Sequence, residues 1–319
     1  MLFLFVVGYG YVKTRSPISG DPIKIALVQG NIDQSRKWDP KYSADIMDIY
    51  TNLTLEAVED FPSLVVWPET ATPRAINFDR TLYRRVKELA DSKGVHILLG
   101  SAQLHKFRVN DPKAARYYNS AFLIAPERSE QGDQRYDKVR LLPFGEYLPH
   151  KAKIPWSLVG ITETGGYLEG ERYKVLNHPQ VALGVTICWE NLFPDVVREF
   201  VRNGAQCIVN ITNEAWFGKT AAPYQFLSMS VLRAVENRIY VLRCANTGIS
   251  CFIDPCGRVV ERIEDERGMD IFIPGVLIGD IVPAEKTTFY TVYGDWPVYL
   301  SFVLSVLFLA CALFKSPRS

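Results

Sequence analysis

Short runs of apolar, largely β-branched residues recur along the chain, and between them lie longer stretches whose apolar positions fall at helical spacing. Residues 23–29 open the series as a strand that alternates at its start. Residues 40–59 read as a helix through Ile46, Ile49, Leu53 and Ala57, and residues 64–67 as a buried strand. A charged helix over 79–93 closes on Gly94 as its C-cap. Strands follow at 95–99 and 119–125, joined through a polar connection at 105–118 that predicts a surface hairpin. Residues 151–173 break into Pro, Gly and aromatics and read as a long functional loop. Beyond it come strands at 181–187 and 207–211 with a helical segment at 196–201 between them, and a helix at 223–237 with Leu227, Val231 and Val235 at steps of four. Paired strands at 239–243 and 249–254 lead through a turn at 255–258 into a last strand at 259–263. Two βαβ-like halves imply a layered α/β domain. Periodicity does not decide between a doubly wound sheet and a two-sheet sandwich.

The two ends differ from this pattern. Nineteen uncharged residues, 296–314, separate Asp295 from Lys315, close to the ~20 that span a bilayer. Trp296 and Tyr299 sit at one end like an aromatic belt, and Lys315 and Arg318 at the other place the C-terminus in the cytoplasm and the main domain outside. Residues 1–12 are apolar but short, with neither the charged start nor the cleavage site of a signal peptide. They read as the stub of a transmembrane helix, followed by a linker over 13–21 with Pro17 and Gly20.

Composition narrows the function classes. Of 319 residues, 48% are hydrophobic and 22% charged, enough for a substantial core and unlike a disordered chain. Lys and Arg number 36 against 35 Asp and Glu, a net charge of +1 with no basic tract, so nothing points to nucleic acid. The six cysteines form no C-x-x-C pair and the four histidines no zinc spacing, so no metal or other cofactor is expected. Cys251 and Cys256 are close enough to bridge, but their strand and turn context favours free thiols.

One cysteine stands apart. Cys188 ends the apolar run 181–187 and precedes turn and helix-start residues 191–195, where unpaired N–H groups and a helix dipole favour a thiolate and an adjacent oxyanion. Glu69 follows the strand 64–67 just past a proline, and Lys138 lies in Tyr136-Asp137-Lys138-Val139-Arg140. Trp67-Pro68-Glu69-Thr70, Lys138 with Pro143-Phe144-Gly145-Glu146-Tyr147-Leu148-Pro149, Cys188-Trp189-Glu190, Asn213-Glu214-Ala215-Trp216-Phe217-Gly218 and Asn246-Thr247-Gly248-Ile249-Ser250 occur in that order. Together they resemble the apolipoprotein N-acyltransferases, a membrane branch of the nitrilase (carbon–nitrogen hydrolase) superfamily, from about Ile23 to the C-terminus.

The resemblance implies an α-β-β-α sandwich over about 22–293, flanked by the stub at 1–12, the linker 13–21 and the transmembrane helix 296–314. It implies Cys188 as nucleophile, Glu69 as base, Lys138 as oxyanion stabiliser with the N–H after Cys188, and Glu146 as a supporting carboxylate that positions Lys138 or the incoming amine. Trp189, Glu190, Trp216 and Phe217 are the expected substrate contacts. Arg233 and Glu236, three apart on one helix, read as a structural ion pair. The implied reaction moves an acyl chain from a phospholipid through a Cys188 thioester to the α-amine of a diacylglyceryl-cysteine lipoprotein, at the bacterial inner membrane with the catalytic domain facing the periplasm or exterior. The alternative is a nitrilase-type amidase that hydrolyses a small amide. Two features depart from the family pattern. Phe226 stands where a histidine is common, and only a stub represents the several membrane helices that precede the domain in full-length members. A shortened chain or a separate membrane subunit would account for the second.

Overall fold

The computed structural model describes residues 2–15, 18–106, 115–149 and 166–315. In strand β1 (Ile23–Gln29), Ile25 and Leu27 enter one apolar core while Ala26 and Val28 enter another, and all four are fully buried. A strand with period-two side chains can do this only when both faces are covered.

Beside β1 lie β2 (Leu64–Val66) and β3 (His96–Lys106), all three parallel. Strands β4 (Arg116–Ile124) and β5 (Gln134–Asp137) extend this sheet antiparallel on one side. A second sheet is built on parallel β7 (Val181–Ile187), β8 (Cys207–Thr212) and β9 (Tyr240–Ala245). Its edges are β6 (Leu176–His178) beside β7, and β10 (Cys251–Ile253) with β11 (Val259–Arg262) beside β9. Strand β12 (Gly275–Ile281) returns to close the first sheet against β1, with Ile23 opposite Ile281.

Ile25, Leu27, Leu64, Val66 and Leu123 of the first sheet share one core with Leu183, Val185 and Ile187 of the second. On the far face of the first sheet, Val28, Val65, Trp67 and Ile97 pack with Ile46, Met47 and Tyr50 of α2 (Ser43–Ala57) and Val86 of α3 (Arg80–Lys93). The second sheet is covered by Val197 and Phe200 of α4 (Pro194–Arg202) and Ala234 of α5 (Ala222–Asn237). The layers are therefore α-β-β-α, and the doubly wound alternative falls away because two sheets share the central core.

Local chemistry fixes the element ends. The Asp79 carboxylate caps α3 by accepting from the N–H groups of Thr81 and Leu82, and Gly94 ends it at φ +65°. The connection expected as a hairpin does join antiparallel β3 and β4, though 107–114 lie outside the described residues. Most of the expected loop, 150–165, lies outside them as well. Arg233 and Glu236 pair at 2.7 Å, and Cys251 and Cys256 are free thiols.

Five elements depart from expectation. Helix α1 (Leu2–Arg15) runs through Lys13 into what reads as linker, because Lys13-Thr14-Arg15 continues a helix without a breaker. Strands β5, β6 and β12 fall outside the expected set: β5 is polar, β6 is three residues long, and the apolar Val276-Leu277-Ile278 of β12 is set between glycines. After the short α6 (Phe289–Tyr293), helix α7 (Trp296–Lys315) is one residue longer than its uncharged run. Its segment Trp296–Leu313 is long and apolar enough to cross a membrane and is unburied throughout.

At the start of β3 and in β6, His96 and His178 meet edge to face at 4.5 Å. Burial holds the His96 ring at about 4, with His178 adding to the effect, and burial lowers His178 as well. Both folded values lie below the ordinary 6.5, so the unfolded chain takes up protons first as the pH falls. The stability contributed by the neutral rings is complete above about pH 6.5 and drains away towards pH 4. His96→Phe should flatten the fall of the thermal midpoint across that window. An unchanged slope in melts taken at intervals from pH 7 to 4 would show that the pair does not govern it.

Candidate active site

The parallel strands of both sheets end on the same side of the sandwich, which is where open α/β sheets place their sites. Leaving β2, the chain kinks at Pro68-Glu69-Thr70, with Thr70 at φ +47°. It lies so close to β3 that a Cβ on Gly100 would stand 2.6 Å from the Glu69 Cα and the Thr70 nitrogen. Only glycine lets the two segments touch, and the Ala71 N–H then bonds to the Gly100 carbonyl at 2.8 Å.

The Glu69 carboxylate is buried and held at both oxygens. Asn119 Nδ2 donates to Oε1 at 2.7 Å, and the backbone N–H of Asn213, just past β8, donates to Oε2 at 2.8 Å. Lys138, one residue beyond β5, is 1% exposed and points between two acids. Its Nζ lies 2.9 Å from Glu146 Oε2, 3.0 Å from Glu146 Oε1 and 3.9 Å from Glu69 Oε1. Burial opposes its charge, but the acidic groups around it, Glu69 and Glu146 among them, outweigh burial and raise its pKa, so the ammonium persists at physiological pH. Asn119 Nδ2 also donates to Glu146 Oε1 at 2.8 Å, so one amide spans both carboxylates. Glu146 is thus the closer ion partner of Lys138, and the Leu142 N–H at 2.7 Å fixes its other oxygen.

Cys188 follows β7 at φ +56° and opens a one-turn 3-10 helix, Cys188–Leu192. Helix α4 begins only at Pro194, so its dipole does not start at the thiol as the sequence suggests. A thiolate at rest is not favoured either. Burial and then Glu69 push the thiol well up, with Lys138 opposing them. Asn210 holds the turn by donating to the Cys188 carbonyl at 3.0 Å. Behind Asn210, the fully buried Arg243 donates to Asn210 Oδ1 at 3.1 Å and to Ser230 Oγ at 3.0 Å, and pairs with Glu214.

The four expected catalytic side chains therefore converge, while the expected substrate contacts separate. Glu190 is fully buried and accepts from Tyr136 Oη and from the N–H groups of Val139, Arg140 and Ile187, each at 2.9 Å. No surface remains for a substrate, and the carboxylate acts instead as a brace that ties the Lys138 loop to the Cys188 turn. Trp189 is partly buried, donates to the Arg140 carbonyl at 2.7 Å and stacks edge-on to Phe193. Trp216 is 73% exposed and Phe217 38%, on the 3-10 turn Glu214–Phe217. Phe226, at the position where histidine is expected, lies 5.5 Å from the Phe217 ring.

Sequence reasoning missed Asn119, Lys37 and the Asn210–Arg243 row. Asn119 carries a weak signal as a polar residue inside an apolar strand. Lys37 carries none.

An α-β-β-α sandwich that gathers a buried acid, a buried lysine and a half-buried thiol at its strand ends is a nitrilase-type enzyme. The chain belongs to the carbon-nitrogen hydrolase family, which matches residues 24–287. It is similar in fold to a variant of the Nesterenkonia AN1 amidase from the nitrilase superfamily, with TM-score 0.62 and 18% identity over 90% of this chain and 99% of that one. Another structure of an amidase from Nesterenkonia sp. gives 0.60 at 19% identity, covering 89% and 98%. By sequence it is 39% identical to the apolipoprotein N-acyltransferase of Geobacter metallireducens, over 92% of this chain and 54% of the relative. It is 32% identical to apolipoprotein N-acyltransferase 1 of Treponema pallidum, over 91% and 54%. The chain thus spans about half the length of the curated relatives it matches.

Glu190→Gln separates a brace from a substrate contact. The amide turns an N–H₂ towards backbone N–H groups that now face an acceptor, which costs about 1–3 kcal/mol. Denaturant midpoints should fall accordingly, with KM for any substrate unchanged. A raised KM at full stability would return Glu190 to the substrate.

Proposed function

We propose that this chain carries the catalytic domain of an apolipoprotein N-acyltransferase that works through a Cys188 thioester. The observation that carries the chemistry is the convergence of Glu69, Lys138 and Cys188 at the strand ends, with Lys138 held charged by Glu146. The choice of acyl transfer over hydrolysis is supported by the names of the curated relatives and by the unburied apolar α7.

The resting thiol is protonated, so activation has to come with substrate. Glu69 takes the thiol proton as sulfur attacks the ester carbonyl of a phospholipid. The oxyanion forms beside the Lys138 ammonium, with the backbone N–H of Trp189 as second donor, and no charge has to be created to receive it. Collapse breaks the ester C–O bond. The lysophospholipid alkoxide regains the proton from Glu69, leaving acyl-Cys188. The α-amine of a diacylglyceryl-cysteine lipoprotein then attacks the thioester and gives its proton to Glu69, which returns it to the departing thiolate. Glu146 and Asn119 keep Lys138 and Glu69 in place through both halves. Trp216 and Phe217 provide exposed aromatic surface for acyl chains. In this reading α7 anchors the chain in the bacterial inner membrane with the domain on the periplasmic or outer face, and the part of the relatives not covered here corresponds to membrane helices present in the same protein or in a partner subunit.

Incubation with phospholipid and no amine should leave one fatty-acyl adduct on Cys188 that hydroxylamine removes. A diacylglyceryl-cysteine peptide should discharge that adduct onto its own amine. Ammonia released from small amides by folded protein that forms no lipid adduct would favour the amidase reading. Cys188→Ala should lower turnover on the order of 10⁴-fold or more.

Lys138→Arg should fail almost as badly as Lys138→Ala. A planar fork on a longer stem cannot place one donor where a compact ammonium sits between Glu69 and Glu146. Near-normal single-turnover acylation in the Arg variant would reduce Lys138 to a source of charge.

A further inference from the structure

The Glu69 peptide has an unusual backbone partner. Trp67 N–H still bonds to Leu98 and Gly100 N–H to Pro68, but at Glu69 the chain turns out of the sheet and its carbonyl leaves the ladder. That carbonyl accepts from Lys37 Nζ at 3.1 Å. Lys37 is 2% exposed, and among the described residues it makes no ion pair within 4.0 Å. A buried charged amine with a carbonyl as its acceptor and no carboxylate within 4.0 Å among the described residues is costly, and that carbonyl lies one residue before the strained Thr70.

We propose that Lys37 is a positioning residue for Glu69: its amine clamps the Glu69 carbonyl and so aims the carboxylate, and uptake of a proton by that amine at lower pH weakens Glu69 as a base. The inference rests on the reading of Glu69 as the base. Burial brings Lys37 down to about 7, with Glu69 opposing the shift. The surrounding charges leave Glu69 as its electrostatic partner. On its own turn Asp33 and Arg36 are exposed, and Asp39 is occupied in capping Lys41 N–H. Across the site, Lys138 and Glu146 neutralise one another at 2.9 Å. From beyond β8, Asn213 approaches through a neutral hydrogen bond to Gln34. A neutral amine still donates to the carbonyl, so the clamp persists above neutrality. Protonation adds a positive charge behind Glu69 that stabilises its anion and makes it a poorer proton acceptor.

The test needs no lipid substrate. Iodoacetamide labelling of Cys188 in the full chain, read by the mass of its own peptide from pH 5.5 to 9, reports how readily Glu69 takes the thiol proton. The wild-type rate should rise through an ionisation near pH 7. Lys37→Met should lose that ionisation and label roughly 10-fold more slowly at pH 8, the scale on which a misaimed base is felt. Lys37→Gln, which keeps a donor at shorter reach and guards against misfolding of the Met variant, should recover part of the rate and still lack the ionisation. A Lys37→Met or Lys37→Gln profile that retains the step near pH 7, beside a slowed Glu69→Gln control, would overturn the role of Lys37. A Glu69→Gln profile identical to wild type would instead remove Glu69 as the base, and this inference with it.

Discussion

A lysine ammonium that is 1% exposed dictates the arrangement around it. Burying such an ion costs several kcal/mol unless the geometry of its partners is good. Lys138 meets that condition with Glu146 at 2.9 Å, but the second acid, Glu69, creates a new demand. Two carboxylates near one cation leave one negative charge in excess, and their remaining lone pairs need donors. Asn119 from β4, the Leu142 N–H from the loop after Lys138 and the Asn213 N–H from the end of β8 supply them. These donors come from both sheets. The charge cluster can therefore form only when the sandwich is closed, and closing the sandwich without the cluster would strand those donors.

The thiol obeys the opposite logic. Burial and the neighbouring Glu69 disfavour its anion, and Lys138 only partly offsets them. A protonated cysteine beside a carboxylate and a fixed ammonium suits base catalysis on demand, because the full charge on sulfur exists only while an electrophile is there to receive it. Such a residue still has to be aimed. Its left-handed backbone is held through Asn210, and Asn210 through Arg243 and the Glu214 partner behind it, a polar row across β7, β8 and β9 under α5. A buried row paired at all but Glu214 Oε2 is held firmly, whereas a half-paired one would cost more than an apolar core.

How much of this can be read from the chain depends on where each residue finds its partner. Strands β1 and β7 were legible to the residue because apolar residues fall on both of their faces, with only Lys24 of β1 exposed. Strand β5 was not, since Gln134 and Arg135 face a mixed environment at an edge. Glu69, Lys138, Glu146 and Cys188 stood out through ordered motifs, and all four meet. Asn119 lies 50 residues from Glu69, and its geometry has no local signature. Lys37 is harder still, because its acceptor is a backbone carbonyl, which no residue type announces. Glu190 shows the converse error. Closeness to Cys188 in sequence suggested the substrate, but in a 3-10 turn a residue two positions on projects to a different side, here towards Val139 and Arg140.

Helix α5 links the exposed aromatic turn to the terminal helices. Near its N-terminus Phe226 meets Phe217 of the exposed aromatic turn, and Thr288, at the start of α6, bonds to the Glu236 carbonyl near its C-terminus. From α6 the chain passes almost directly into α7, where the rings of Phe289, Tyr293 and Trp296 cluster, with Phe289 4.4 Å from Tyr293. Sixteen residues make α5 about 24 Å long, so it acts as a strut between the aromatic rim and the apolar terminal helix. A strut standing away from a bilayer would present a polar outer face. The outer face instead mixes Tyr224, Met229, Leu232 and Val235, each at least 36% exposed, with exposed Gln225 and Ser228. Exposed apolar side chains of this kind suit contact with another apolar surface. In the proposed reading, where α7 lies in a membrane, α5 would face that surface and carry the Trp216–Phe217 turn towards it.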